Sequence, residues 1–335
     1  MKRIYLITGA TGHLGNTIVR MLLQQGESIR CLILEDEVPL FLQNLNLEII
    51  HGDVSDKDSL IPFFSNLEGL DVYVLHLAGL ISIASNIDDR IFKVNVEGTR
   101  NLLEFAENYS IKRFVYCSSV HAIPEKKNNA PISEVDQFNP DWVQGAYAKT
   151  KAMATQLVLD AGKRGLDVVV VQPSGIIGPN DYEKSNHLNQ VLSDYLDHKL
   201  KMIVHGGYDF VDVRDVAQGL LAAVEIGKSG ECYILSNHYL SITKLINLTS
   251  RLSNQKPIKY ILTTGFVKLF APLFEWWAKV KKQRPLFTSY SIYTLNSNSN
   301  FLYNKAKRDL NYHPRAIEET LQDTINFIRR SKSPA

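Results

Sequence analysis

A chain of 335 residues, 45% hydrophobic and 21% charged, suits one large α/β domain or about two ordinary ones, and its composition excludes a disordered or fibrous protein. Its 37 Lys and Arg against 35 Asp and Glu leave a formal charge of +2, without the clustered basic excess that marks a nucleic-acid binder. The three cysteines, Cys31, Cys117 and Cys232, are too isolated for a disulfide framework or a metal site, and each reads as a buried reduced thiol in an apolar run.

In chain order, short apolar runs alternate with helical patterns. Ile4–Ile7 predicts a strand, and Asn16–Gln25 a helix with Ile18, Met21 and Leu22 on one side. Strands follow at Ile29–Leu34, Leu47–Ile50 and Val72–Leu77. A helix from Asp89 to Tyr109, a strand at Lys112–Tyr116, a helix around Ala146–Ala161 and a strand at Val168–Val171 complete the first half. Strands apolar on both faces and separated by helices predict a doubly wound parallel sheet, the Rossmann-type α/β class. Beyond Pro173, Asp181–His205 reads as mostly helical, and Asp209–Ala223 opens with a short strand. Cys232–Leu235 is another strand, Ser241–Leu252 a helix capped by Ser241, and a last helix runs from about Ala316 to Arg330. The N-terminal apolar run is too short for a signal peptide, and no stretch of about 18 residues is free of charge. The expectation is a cytoplasmic protein without a membrane span.

Ile4 to Gly15 reads IYLITGATGHLG, a strand running into Gly9, Gly12 and Gly15 and then a helix. Glycines allow a tight turn and close approach to a pyrophosphate, whose charge the free N–H groups of a helix N-terminus can meet. The spacing is G-x-x-G-x-x-G, which differs from the G-x-G-x-x-G fingerprint. His13, inside the loop, has no second ligand at metal spacing and reads as a solvated loop residue; no metal is expected. Glu35 and Asp36 follow the second strand, where an acid can hold an adenosine ribose or simply be a solvated turn residue. Asp53, in HGDVSD, is better placed for the adenine, or is a turn acid.

GAYAKTKAMA sets Tyr147 and Lys151 four apart on one helix face. A phenol has a pKa of about 10, and a cation within about 4–6 Å lowers it by roughly 1–3 units, making a general acid or base usable near neutrality. Upstream, FVYCSSVHA ends a strand with Ser118 and Ser119 at the edge where doubly wound sheets bind ligands. No G-x-S-x-G elbow surrounds either serine, so Ser-His-Asp hydrolysis fits poorly.

TGATGHLG, HLAG (His76–Gly79), VNVEGT (Val94–Thr99), YCSS (Tyr116–Ser119), YAKTK (Tyr147–Lys151) and QPSGIIGP (Gln172–Pro179) occur in one order. In this the chain resembles the extended short-chain dehydrogenases/reductases, the NAD-dependent epimerase/dehydratase superfamily. Its nearest likeness is to the dihydroflavonol-reductase and 3β-hydroxysteroid-dehydrogenase-like branch. DFVDVRDVAQG (Asp209–Gly219) and the C-terminal KAKRDLNYHPRAIEETLQDTINFI extend the match.

The resemblance implies an NAD(P)-dependent oxidoreductase acting on a small-molecule ketone, aldehyde or alcohol. Tyr147 would exchange the proton, Lys151 would hold the nicotinamide ribose, Ser119 would polarise the reacting oxygen with Ser118 as fallback, and Asn95 would support the relay or the structure. Gly9, Gly12, His13, Leu14 and Gly15 would surround the pyrophosphate. Asp53 and Val54 would take the adenine, Leu77, Ala78 and Gly79 the adenosine-side wall, and Pro173 and Ile176 the nicotinamide. Ile33 and Leu34 stand where the family often carries Asp for NAD or Arg for NADP, so the cofactor is NAD or NADP with a lean to NAD. Ser174 and Gly175 replace the Asn usual in sugar-nucleotide epimerases. A nucleotide-sugar epimerase or dehydratase with retained NAD is the enzyme alternative, and a non-catalytic dinucleotide-sensing protein the alternative from another class.

Residues 1–178, with 208–236 returning to them, are expected to form the cofactor domain. Residues 179–207 and 237–315 would form a smaller, mostly helical substrate cap, and 316–330 a terminal helix. Phe266, Leu269, Phe270, Leu273, Phe274 and Trp277 recur at helical spacing, interrupted by Pro272. They read as cap core and lid over an apolar or aromatic substrate, with interfacial membrane contact the second choice. The expected partner is that small molecule, with no nucleic acid; a homodimer is the candidate assembly.

Overall fold

The computed structural model describes residues 2–39, 41–81, 87–265 and 289–332. Strand β1 (Lys2–Thr8) leads into helix α1 (His13–Gln24), followed by β2 (Ser28–Ile33), β3 (Glu48–His51) and β4 (Leu70–His76). A nearly continuous helix then comprises α2 (Asp89–Phe92), a π turn (Lys93–Glu97) and α3 (Gly98–Asn108). Next come β5 (Arg113–Cys117), α4 (Ala146–Lys163), β6 (Val168–Pro173) and β7 (Gly175–Ile177). Helix α5 (His187–Leu196), β8 (Met202–Val204), β9 (Gly207–Asp212), α6 (Val213–Ile226) and β10 (Cys232–Leu235) precede β11 (His238–Ser241), α7 (Ile242–Ser253) and β12 (Tyr260–Leu262). Helices Ser289–Asn296, Asn304–Leu310 and Ile317–Arg330 close the described chain.

Seven parallel strands form the main sheet in the order β10-β6-β5-β4-β1-β2-β3. Strand β6 shows why the apolar runs were continuous. Val168 and Val170 face the core under α3 and α4, while Val169 and Val171 face the core under α1 and α6, all fully buried. Each such side chain contributes roughly 1.5–3 kcal/mol of burial. The order of strands reverses between β1 and β4, and a crevice opens there at the carboxyl ends.

A third core joins Ile177, Leu192, Phe210, Leu245 and Ile246 to Leu321 and Ile325 of the terminal helix. Between these helices lie a three-stranded sheet, β11-β9-β7, and a two-stranded one, β12-β8. Asp181–His205 is therefore not mostly helical: the helix is confined to α5, and Met202–Val204 pairs with Tyr260–Leu262. Ser241 does cap α7, accepting the Lys244 N–H at 3.2 Å. The aromatic segment Phe266–Trp277 lies outside the described residues. No helix among the described residues is long and apolar enough to cross a membrane.

Candidate active site

The three loop glycines have different reasons to lack a side chain. Gly9 has φ +71, and a Cβ there would fall 2.7 Å from Ala78 N. A Cβ on Gly15 would lie 2.1 Å from Gly9 O, so this glycine lets α1 pack against its own loop. Gly12 begins α1 without a side-chain cap, and its Cβ position would meet only Gly9 O at 3.4 Å. That leaves bare backbone at the positive end of a twelve-residue helix, the cradle a diphosphate fits. His13 is not solvated. It is 7% exposed, its Nε2–H donates to Pro179 O at 2.7 Å, and its Nδ1 accepts from Asn186 Nδ2 at 2.9 Å. The reason is non-local: Asn186 also holds Ile176 O, so the ring ties the glycine loop to the β7 region.

A cleft of about 470 Å³ beside the loop collects Gly9, Asp53, Val54, Ala78 and Gly79; Leu77 is not part of its lining, and its N–H donates to Thr8 O. Asp53 also acts as a turn acid, accepting the Ser55 N–H and hydroxyl, both at 2.8 Å. Glu35 does not reach the cleft; its side chain is 84% exposed, near His51. Glu37 lines the cleft instead, accepting the Thr11 hydroxyl at 3.2 Å. Its position beyond the strand, past two other acids, hid it in the sequence. Arg90 and Lys93 border the same cleft from the helix side.

At the end of β5, Ser119 starts a short turn with its Oγ accepting the His121 N–H at 3.2 Å. Ser118 is spent on Thr155, with 2.6 Å between hydroxyl oxygens. Lys151 is 4% exposed, donates to Cys117 O at 2.8 Å and lies 4.8 Å from the Tyr116 ring centroid. Burial pushes its pKa down to about 8. Tyr147, one turn earlier in α4, is half-buried with its ring edge-on to His121 at 6.0 Å between centroids. Asn95, in the π turn, accepts from Leu80 N at 2.7 Å and donates to Leu80 O and Thr150 Oγ1. A Cβ on Gly79 would sit 3.3 Å from both Asn95 Oδ1 and Lys151 Nζ, so a side chain there would crowd both groups. All three cysteines are free and buried, as their apolar runs predict.

His76 went unassigned in the sequence, yet it links the two halves of the site. Ala78 N–H donates to Thr8 Oγ1, Thr8 donates to His76 Nδ1 at 2.8 Å, Nε2–H donates to Thr99 at 2.9 Å, and Thr99 donates to Asn95 O. Thr8, His76 and Thr99 then each have one donor and one acceptor role with the imidazole neutral. Burial, with Lys151 nearby, lowers the His76 pKa to about 3; burial lowers that of His121 to about 4 and also depresses His13. An unfolded histidine titrates near about 6.5, so below that value the unfolded chain binds protons the folded one does not. Stability is full above that value and falls with decreasing pH. The melting temperature should drop between about pH 7 and about pH 5, and less steeply in His76→Asn; a flat profile in the native protein would contradict neutral buried histidines.

A wider cleft of about 1050 Å³ is lined by His121, Trp142, Tyr208, Tyr239, Tyr293 and Phe301 among others. Among the described residues no group of three or more His, Cys, Asp or Glu could hold a metal ion. Pro173 and Ile176 sit at the end of β6 and in β7.

The family model described as the NAD dependent epimerase/dehydratase family matches residues 5–236. Sterol demethylase protein B of Methylococcus capsulatus is 31% identical over 97% of this chain and 98% of its own. A 3 beta-hydroxysteroid dehydrogenase/Delta 5-->4-isomerase of Mycobacterium tuberculosis is 26% identical over 98% of this chain and 92% of its own. The crystal structure of gox2253 is 30% identical, covers 99% of each chain and superposes with a TM-score of 0.84. A match running from β1 to β10 makes this chain an enzyme of the NAD dependent epimerase/dehydratase family.

Proposed function

We propose that the protein is an NAD(P)-dependent oxidoreductase that interconverts a ketone or aldehyde and an alcohol on an apolar or aromatic small molecule. The observation that carries this reading is Lys151, a buried cation held by Cys117 O within one helical turn of Tyr147 and at the strand end that bears Ser119. A bound nicotinamide supplies or accepts the hydride. Ser119, its lone pair engaged by the His121 N–H, donates its own hydrogen to the substrate oxygen. Ser118 is the weaker candidate because Thr155 takes its hydroxyl. Tyr147 exchanges its proton with the substrate oxygen, with the Lys151 cation one helical turn further along α4. Asn95 is a positioning residue, its amide committed to Leu80 and Thr150.

Gly9, Gly12, Leu14 and Gly15 would cradle the diphosphate, with His13 bracing the loop. Asp53, Val54, Ala78 and Gly79 would take the adenosine and Pro173 with Ile176 the nicotinamide side. Glu37 favours NAD, since a carboxylate there would repel a 2′-phosphate. Residues 1–178 and 208–236 are assigned to the cofactor domain, and 179–207 with 237–315 to the cap. Relatives named for a sterol and a hydroxysteroid, and the aromatic lining of the wider cleft, support an apolar ring-bearing substrate.

The test is NADH oxidation by apolar ketones across pH. Lys151 loses its charge as pH rises through about 8, which weakens Tyr147 as an acid. Ketone reduction should therefore decline above that pH, and a rate still climbing well beyond it would speak against the Lys151–Tyr147 coupling.

A further inference from the structure

Tyr182 lines neither cleft, yet its ring joins three separate elements. It sits in a turn after β7 that a buried carboxylate organises: Asp181, 6% exposed, accepts the Ser185 N–H at 2.9 Å and the Ser185 hydroxyl at 3.2 Å. The Arg20 guanidinium of α1 lies over the Tyr182 ring, 4.7 Å from its centroid. Phe327 of the terminal helix meets the ring edge-on at 5.1 Å, and Phe41 packs against it at 4.8 Å. Arg20 is itself fixed, donating to Asn16 Oδ1 at 2.7 Å and to Phe41 O at 3.0 Å. Phe41 is thus held twice, by its ring and by its carbonyl. It lies in the segment between β2 and β3 that also carries Glu37 to the rim of the adenosine-side cleft.

Resting on the reading that Glu37 favours NAD, we infer that Tyr182 is a positioning residue for cofactor selectivity. Its ring clamps the outer end of the Glu37 segment to α1 and to the terminal helix, and so keeps the carboxylate at the cleft. Among the described residues the Thr11 hydroxyl, at 3.2 Å, is the one partner of that carboxylate. Val38 is 68% exposed, so the chain just past Glu37 has no core contact of its own. Leu42, buried beside α1, pins the far end from below, and the Phe41–Tyr182–Arg20 stack holds it from above. A surface segment with so few buried contacts opens readily once a clamp is removed. The stack is made by ring faces and a cation, so it does not need the Tyr182 hydroxyl.

The test is titration of NADH and NADPH into the native protein, Glu37→Gln, Tyr182→Leu and Tyr182→Phe. The native protein should prefer NADH by about tenfold or more, and Glu37→Gln should lose most of that preference. Tyr182→Leu should bind NADH about fivefold more weakly and keep NADPH within about twofold, because the displaced carboxylate neither bonds a ribose nor repels a phosphate. Tyr182→Phe keeps every ring contact and should stay within about twofold of native for both cofactors. A residue serving only the fold would lower both affinities together. An unchanged NADH/NADPH ratio in Tyr182→Leu, or an equal loss in Tyr182→Phe, overturns the inference. Phe41→Leu breaks the same contact from the other side and replaces Tyr182→Leu if that variant does not fold. If Glu37→Gln leaves the ratio unchanged, the Glu37 reading fails, and amide hydrogen exchange of residues 35–38 in the protein alone decides the clamp. Exchange about tenfold faster in Tyr182→Leu than in the native protein supports it, and equal exchange overturns it.

Discussion

Tyr147→Phe is expected to bind NADH as the native protein does and to reduce apolar ketones roughly a hundred to ten thousand times more slowly. The substitution removes one oxygen from a half-buried ring on a helix whose packing is otherwise carried by Ala148, Ala152, Val158 and Leu159. The ring contact with His121 survives it. What disappears is the hydroxyl proposed to move the proton. NADH fluorescence measures the binding and loss of NADH absorbance the rate. Normal turnover on a ketone that the native protein reduces would remove Tyr147 from the mechanism. A parallel loss of NADH binding would mean that the tyrosine serves the fold.

Gly15→Ala and Gly12→Ala should fail in different ways. The new methyl at position 15 would lie 2.1 Å from Gly9 O and 2.8 Å from Ala10 Cα, so α1 and the loop must separate. Overpacking of backbone against backbone costs about 3 kcal/mol or more, and the loop geometry goes with it. Gly15→Ala should melt earlier and lose NADH binding. At position 12 the methyl meets only Gly9 O at an ordinary 3.4 Å, and Gly12 has φ −68, open to any residue. Gly12→Ala should keep its melting temperature and bind NADH about tenfold more weakly, about 1.4 kcal/mol, because the methyl occupies the approach to the helix N-terminus. Thermal melts and NADH titrations of both variants separate the two roles; unchanged NADH affinity in Gly12→Ala would place the diphosphate elsewhere.

Local chemistry was legible in the sequence and long-range chemistry was not. The valine run of β6 announces burial on both faces, and the four-residue spacing of Tyr147 and Lys151 announces a shared helix face. His76 carries no such sign. Its partners Thr8 and Thr99 stand 68 and 23 residues away, and only the sheet and the π turn bring them together. His13 looked solvated because Asn186, 173 residues on, is invisible from the glycine loop. The pairing of β8 with β12 also joins distant segments, so a stretch with helical periodicity ended as a strand. Glu37 is hidden in the sequence because Glu35 and Asp36 stand nearer the strand, whereas the Thr11 hydroxyl bonds the later acid.

Isotope transfer follows the hydride proposed to move beside Ser119, Tyr147 and Lys151. NADH carrying deuterium at the transferable position of C4 should be incubated with the native protein and a series of apolar ketones that includes 1-tetralone. An alcohol product with deuterium on the carbinol carbon, formed in step with NADH loss, is expected. Intact NADH binding with no labelled alcohol from any ketone in the series would contradict it.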